Sequence, residues 1–356
     1  MAGTPRTYQA IIERSLIRLC GVLLSTIRVT ATMGSEGQRT RDTMLPPEDA
    51  FSALGNEVRM EILRILGEAD EPMSFSDLRS TVGIDDPGRF NYHLTQLIGH
   101  FVTQSDDGYE LKRPGQHIIE AVLAGAVTEA PVLESTEVDW ACHFCEATPI
   151  YLEYREGQLG AFCSECSGMY GGEGDGENTG MLPAERQRLW YAELPPPAIQ
   201  NRSPEEIVEA AGRWAGAEIV TRATGMCPKC AATIQETLEV CADHVQSDGL
   251  CPNCNRKFAA LHRSWCTNCI DDAEVMMGSV LARNLEFRAF MIDHGFDPIV
   301  PRSAGFRRMF YNHTEEILSF DPPKLRFTFS VENETISLTV DDTIEVVDVE
   351  RSRLDG

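Results

Sequence analysis

Three features of the chain predict an α+β fold built from several domains. Apolar residues recur at three- and four-residue steps in the first third, Cys-x2-Cys pairs recur through the middle, and apolar and polar residues alternate near the end. The expected order is a helical N-terminal domain carrying a β-hairpin, then cysteine-rich modules, then a C-terminal antiparallel β meander. The boundaries follow from composition. Residues 1–44 read as an extension, disordered or lying upstream of the true start. Residues 45–130 form the helical domain, and 138–169 a first cysteine module. A linker occupies 170–202, a helix and a double cysteine region 203–270, and a helix with an antiparallel β tail 271–356.

Composition narrows the function classes. The chain has 356 residues, 42% of them apolar, and a net charge of -24. Only 4 of its 31 basic residues are Lys. Such an acidic, Lys-poor surface resembles proteins of salt-accumulating halophiles, where carboxylates hold water. In molar salt the Debye length falls to ~3 Å, so the acidity does not exclude a DNA partner. The longest apolar run, "LCGVLLSTI" (19–27), is too short for the ~20 residues of a membrane span. A cytoplasmic protein without a membrane partner is expected. Residues 1–43 carry a net of +3 against the trend, and Met33 and Met44 both suit a start. Cys20, alone in this stretch, receives no role.

The helical domain is legible element by element. "PPEDAFSALGNEVRMEILRILGEA" places Phe51, Leu54, Val58, Ile62, Ile65 and Leu66 on one helical stripe. "SFSDLRSTVG" opens with a Ser74-x-x-Asp77 cap and closes on Gly83. "DDPGRFNYHLTQLIGHF" sets Asp86 at the cap and Pro87 at the first helical position, with Phe90, Leu94, Leu97, Ile98 and Phe101 inward over a helix of 87–101. "VTQSDDGYELKR" reads as a hairpin turning at Asp107-Gly108, and a last helix spans 115–127.

Helix, short helix, helix, hairpin, helix is the order of a winged helix-turn-helix. "ALGNEVRMEILRIL" followed by "NYHLTQLIGHFV" and the wing resembles the ArsR-type transcription regulators over about 80 residues. The whole arrangement, with cysteine modules and a β tail, is similar to haloarchaeal ArsR-like helix-turn-helix proteins. The Cys motif of the metal-sensing members is missing from "FSDLRSTVG". The resemblance implies double-stranded DNA as partner and a homodimer paired through helix 115–127. Packing of that helix on its own domain is the alternative.

The outward face of helix 87–101 carries Arg89, Tyr92, Thr95 and Gln96, with Asn91 at its flank, and no acidic residue. Arg reads guanine, Gln reads adenine, and hydroxyls bond phosphates. Lys112 and Arg113 at the wing base are the further phosphate contacts, since the wing tip is acidic at Asp106-Asp107. An ordinary solvated helix face is the competing reading. A second basic, aromatic-interleaved stretch, "NRKFAALHRSW" (255–265), is a candidate nucleic-acid surface or a strand with ordinary charges.

Ten of the twelve cysteines form five Cys-x2-Cys pairs. Repeated two-residue spacings build metal knuckles rather than disulfide frameworks. Cys142 and Cys145 precede a hairpin and Cys163 and Cys166 follow it, the spacing of a zinc ribbon. Cys227, Cys230, Cys241, His244, Cys251, Cys254, Cys266 and Cys269 fill two further tetrahedral sites. Sequential pairing joins 227/230 to 241/244 and 251/254 to 266/269. Interleaved pairing joins 227/230 to 251/254 and 241/244 to 266/269. Two to three structural Zn2+ sites are expected, closed and without an open catalytic position. No nucleophile elbow, P-loop or dinucleotide fingerprint occurs, so no enzymatic role is expected. Two functions remain. One is a DNA-binding regulator. The other is an adaptor that contacts the transcription machinery, resembling archaeal general initiation factor E in architecture only.

Overall fold

The structure, a computed structural model, describes residues 45–169, 188–246, 249–297 and 304–353. The expectations for 1–44, Cys20 included, and for the glycine-rich part of the linker at 170–180 lie outside these residues. The chain divides into two units, Met1–Arg59 and Met60–Gly356. The described part of the first holds α1 (Pro47–Leu54) and the first turn of α2 (Glu57–Glu68). One continuous helix was expected here. Gly55 and Asn56 interrupt it: the Gly55 N–H bonds the Phe51 carbonyl, and the Asn56 Oδ1 accepts from Arg59 N at 3.3 Å and starts a new helix. Phe51, assigned to the inward stripe, is 74% exposed.

The second unit continues with α3 (Phe75–Val82), α4 (Pro87–Thr95), β1 (Val102–Ser105), β2 (Gly108–Leu111) and α5 (Arg113–Leu123). The caps form as the residues dictate. Ser74 accepts from Asp77 N, Gly83 takes a left-handed φ, and Asp86 accepts from Gly88 N and Arg89 N. Ile62, Leu63, Leu78, Phe90, Leu94, Leu97 and Val102 are fully buried. Two helices are displaced from expectation: α4 ends at Thr95 rather than 101, and α5 runs over 113–123 rather than 115–127. The α4 ladder breaks where Gln96 and Leu97 both turn their N–H to the Leu94 carbonyl, and Gly99 keeps the helix from resuming towards 101. Its φ of +94° is open to glycine but ends a right-handed helix, and its N–H turns to the Val102 carbonyl.

Three more antiparallel sheets follow. The first is β3 (Leu133–Val138), β4 (Ile150–Arg155), β5 (Gln158–Phe162) and β6 (Arg188–Glu193), paired in chain order. Strand β6 lies inside the stretch expected to be linker; its Leu189 and Ala192 are buried in the sheet's core, a tertiary constraint that local composition hides. Helix α6 (Pro204–Ala223) starts at the Ser203/Glu206 capping box and buries Ile207, Val208 and Ala211 against this sheet. The second sheet is β7 (Ile234–Val240), β8 (Ala260–Cys266) and β9 (Asp272–Val275).

The single helix expected over 271–295 is instead β9, α7 (Met277–Leu281) and α8 (Leu285–Asp293). Pairing with β8 claims its first residues, and Asn284 starts α8 by accepting from Glu286 N and Phe287 N. After α9 (Ala304–Tyr311), the tail forms the expected meander, β10 (Thr314–Phe320), β11 (Pro323–Val331), β12 (Glu334–Val340) and β13 (Val346–Arg353). Phe287, Phe290, Phe327, Phe329, Leu325 and Leu338 make its core. No helix among the described residues is long and apolar enough to cross a membrane.

Candidate metal centres

The twelve predicted ligands gather into three sets of four, each with its donor atoms within 4.8 Å of one another: Cys142/Cys145/Cys163/Cys166, Cys227/Cys230/Cys266/Cys269 and Cys241/His244/Cys251/Cys254. The membership of the last two corrects both expected pairings. The arrangement is nested, outer pair with outer pair and inner with inner. The cause is the β7–β8 ladder, whose register sets Ile234 opposite Cys266 and Val240 opposite Ala260. One end of that ribbon receives 227/230 and 266/269, and the other receives 241/244 and 251/254. Sequential pairing would need each ligand set to close within one loop, leaving the seven-residue strands between them unpaired. The first set obeys the same rule on the β4–β5 hairpin, where Tyr151 faces Phe162.

The backbone builds the same knuckle repeatedly. In four of them the first cysteine's N–H bonds the carbonyl five residues on, as Cys142 to Ala147, Cys227 to Ala232, Cys251 to Arg256 and Cys266 to Asp271. In the first three its carbonyl accepts from the residue after the second cysteine, Glu146, Ala231 or Asn255, each with a positive φ. This turn aims N–H groups at sulfur: Phe144 N at Cys142 Sγ, Lys229 N at Cys227 Sγ and Asn253 N at Cys251 Sγ, each 3.4 Å. The knuckle of Cys163 and Cys166 ends instead on Gly168. Its φ is +66°, and a Cβ there would stand 2.5 Å from the Arg188 carbonyl oxygen, so the close passage of β6 requires glycine.

The sulfurs are free thiols, with Sγ–Sγ distances of 3.6 Å (142–166), 3.5 Å (145–163), 3.7 Å (227–269) and 3.4 Å (230–266). His244 Nδ1 lies 3.4 Å from Cys254 Sγ. Four sulfurs around a tetrahedral ion with bonds of about 2.3 Å stand about 3.8 Å apart, whereas a disulfide needs about 2.0 Å. Electrostatics agree. Burial pushes the Cys227 thiol up to about 12 and the Cys241 thiol up to about 11. The Cys269 N–H, with further backbone and cysteine donors, brings Cys266 down to about 6 against burial. Burial also raises Cys251, but donors led by Val245 N and Asn253 N prevail and bring it to about 7. Like charges this close cannot all ionise alone; a divalent cation among them resolves the conflict. The donor sets therefore fit such an ion.

The centres are seated in the fold. His143 stacks on Tyr311 with centroids 4.7 Å apart, the His143 carbonyl accepts from Asn312 Nδ2, and Lys257 Nζ stands 5.1 Å over the Phe144 ring. The basic stretch 255–265 is taken up internally. Arg263 pairs with Glu239 and Glu274, Arg256 lies 3.9 Å from Glu239, and buried His262 bonds Glu236 at 2.9 Å. That leaves few of its charges for a nucleic acid.

Two polar groupings were missed by sequence reasoning. Arg222 and Asp271 form a buried pair at 2.7 Å beside Cys227. They are 49 residues apart, and no local pattern announces them. Glu315, also buried, accepts from Ala259 N and Ala260 N and lies 3.5 Å from His313, which stacks on Phe258. The alternation His313, Glu315, Ile317 could have marked these as one inward face.

The predicted DNA-contacting residues are spread along one segment. Arg89, Asn91, Tyr92 and Thr95 lie on α4, Gln96 follows its last turn, and Lys112 and Arg113 sit at the β2–α5 junction; all seven are exposed. Tyr92 is 61% exposed. The Thr95 hydroxyl is turned back to the Asn91 carbonyl at 2.7 Å, and Lys112 Nζ donates to the Gly99 carbonyl. Among the described residues Arg89 has no ion-pair partner, and Arg113 bonds the neutral Gln116. On α5, Ile119 is buried and Leu123 is 60% exposed.

The site thus defines a class: a mixed α/β chain whose antiparallel ribbons are closed by three Cys/His tetrads. Residues 139–346 match the family described as a domain of unknown function (DUF7351), and residues 47–122 match another such family, DUF7347. The first match spans more than half of the chain, which therefore belongs to the DUF7351 family. Neither a curated protein nor a solved structure matches it.

Proposed function

We propose that this protein is a DNA-binding transcriptional regulator, with residues 57–123 acting as a winged helix-turn-helix and the three tetrads each holding structural zinc. The carrying observation is the state of the cations. In a chain of net charge -24, Arg155, Arg213, Arg222, Arg263, Arg283, Arg351 and Arg353 each face a carboxylate. In the helical segment Arg64 pairs with Glu61 and Glu68, but Arg79, Arg89, Lys112 and Arg113 face no carboxylate among the described residues; three of these four bond neutral carbonyl or amide oxygens. Arg89 and Gln96 stand exposed at the two ends of α4, so the guanidinium and the amide are available to base edges in a major groove. Closed thiolate and imidazole donor sets favour zinc in a structural role. The β meander, which carries no catalytic grouping, is left for effector or partner binding.

Selection from a random duplex pool in molar KCl tests this. The parent enriches a defined sequence. Arg89→Ala with Gln96→Ala weakens binding to that sequence at least 10-fold, since each bidentate base contact discriminates by about 1–3 kcal/mol, and keeps the parent's circular dichroism. Equal binding by the variant removes the reading-helix assignment. The adaptor reading has its own support in the three knuckled modules, which outweigh the helical domain in length; it predicts no enriched sequence.

A further inference from the structure

We propose that Asp271 and Arg222 are positioning residues that set how firmly the 227/230/266/269 tetrad holds its ion, Asp271 by bracing both knuckles and Arg222 by neutralising it there. This rests on reading that tetrad as a divalent-cation site. The Asp271 carbonyl accepts from Cys266 N at 2.8 Å, and its Oδ2 lies 3.3 Å from Cys227 Sγ. One residue thus touches a ligand of each of the two knuckles. The equivalent position of the other knuckles, five residues after the first ligand, holds Ala147, Gly168, Ala232, Gln246 or Arg256, none of them acidic.

A carboxylate in that place is electrostatically adverse. Four thiolates around a dication already carry an excess of two negative charges, and a carboxylate beside them adds a third. Arg222 supplies the remedy from α6. Its Nη2 bonds Asp271 Oδ2 at 2.7 Å and its Nη1 lies 3.4 Å from Ser264 Oγ, and the two side chains are only 9% and 7% exposed. Removing the guanidinium leaves an uncompensated buried carboxylate pressed against a thiolate, and that repulsion parts the two knuckles and opens the ion to capture by a chelator. Removing the carboxylate instead takes away the repulsion and leaves a cation near the sulfurs.

The test follows zinc release from the full chain to a chromogenic chelator, with Cys230→Ser marking which kinetic phase belongs to this tetrad. Arg222→Met is expected to speed that phase about 10-fold or more, within the range typical of residues that orient metal ligands, and to leave the other two phases unchanged. Asp271→Asn is expected to release no faster than the parent, and Arg222→Met with Asp271→Asn to return to within about 3-fold of it, on the same argument. A merely structural ion pair predicts the opposite for Asp271→Asn, faster release, and that result overturns the proposal. So does Arg222→Met speeding all three phases alike, or none. If Arg222→Met does not fold, Asp271→Asn and the double variant still decide by the same signs. A parent with no phase removed by Cys230→Ser overturns the site itself, and the proposal with it.

Discussion

At the residue scale the interior of the second unit relies on charged hydrogen bonds. Glu236 illustrates the sign of their pH dependence. Its carboxyl is held below the usual carboxylate range, first by the hydrogen bond from His262 and then by the charge of Arg283, against the opposing effect of burial. A depressed folded value means stability that is full above the ordinary carboxylate range and lost as pH falls through the depressed one. Chemical denaturation should therefore find Glu236→Gln less stable than the parent by about 1 kcal/mol at pH 7, with the gap closing on acidification through the carboxylate range. A gap that widens on acidification contradicts the assignment. Capping residues such as Ser74, Asp86 and Ser203 were legible because a cap depends on its own next three residues. Glu236–His262 and Arg222–Asp271 were not, because each joins residues that only the folded β ribbon brings together.

At the element scale, the twelve ligands were readable from spacing, but their partition was not. Two-residue spacing is a local property of a knuckle, whereas pairing depends on which strands form a ladder. Two further misreadings have the same origin. The helical reading of 271–295 lost its first residues to β8, and β6 emerged from a proline- and glycine-flanked stretch through burial against β5. Paired substitutions distinguish the arrangements by elemental analysis. Cys227→Ser with Cys266→Ser removes one zinc per chain if the tetrads are nested, leaving about two, and removes two if pairing is sequential or interleaved. Cys227→Ser with Cys241→Ser removes two when nested and one when sequential. A parent content of about two, rather than three, removes one tetrad altogether.

At the scale of the whole molecule, the Cys/His tetrads and apolar burial hold different parts of the chain. The helical segment has its own buried set around Phe90, Leu94 and Leu97, and the meander has one around Phe290 and Phe327. The β3–β6 sheet buries Val138, Ile150, Leu152, Tyr154, Leu159 and Leu189, whereas the β7–β9 ribbon buries few large apolar side chains, Leu238 and Leu261 among them. Two of the tetrads close the two ends of that ribbon, where apolar burial is least. Outside the helical segment most cations are paired with carboxylates; on the proposed function, α4 faces a polyanion once salt screens the net charge. Genome-wide occupancy of the tagged protein at the cell's own salt concentration tests this account most directly. It predicts discrete sites sharing one sequence, lost when Arg89→Ala and Gln96→Ala are combined. Uniform presence at promoters regardless of sequence, unchanged in that variant, would contradict it.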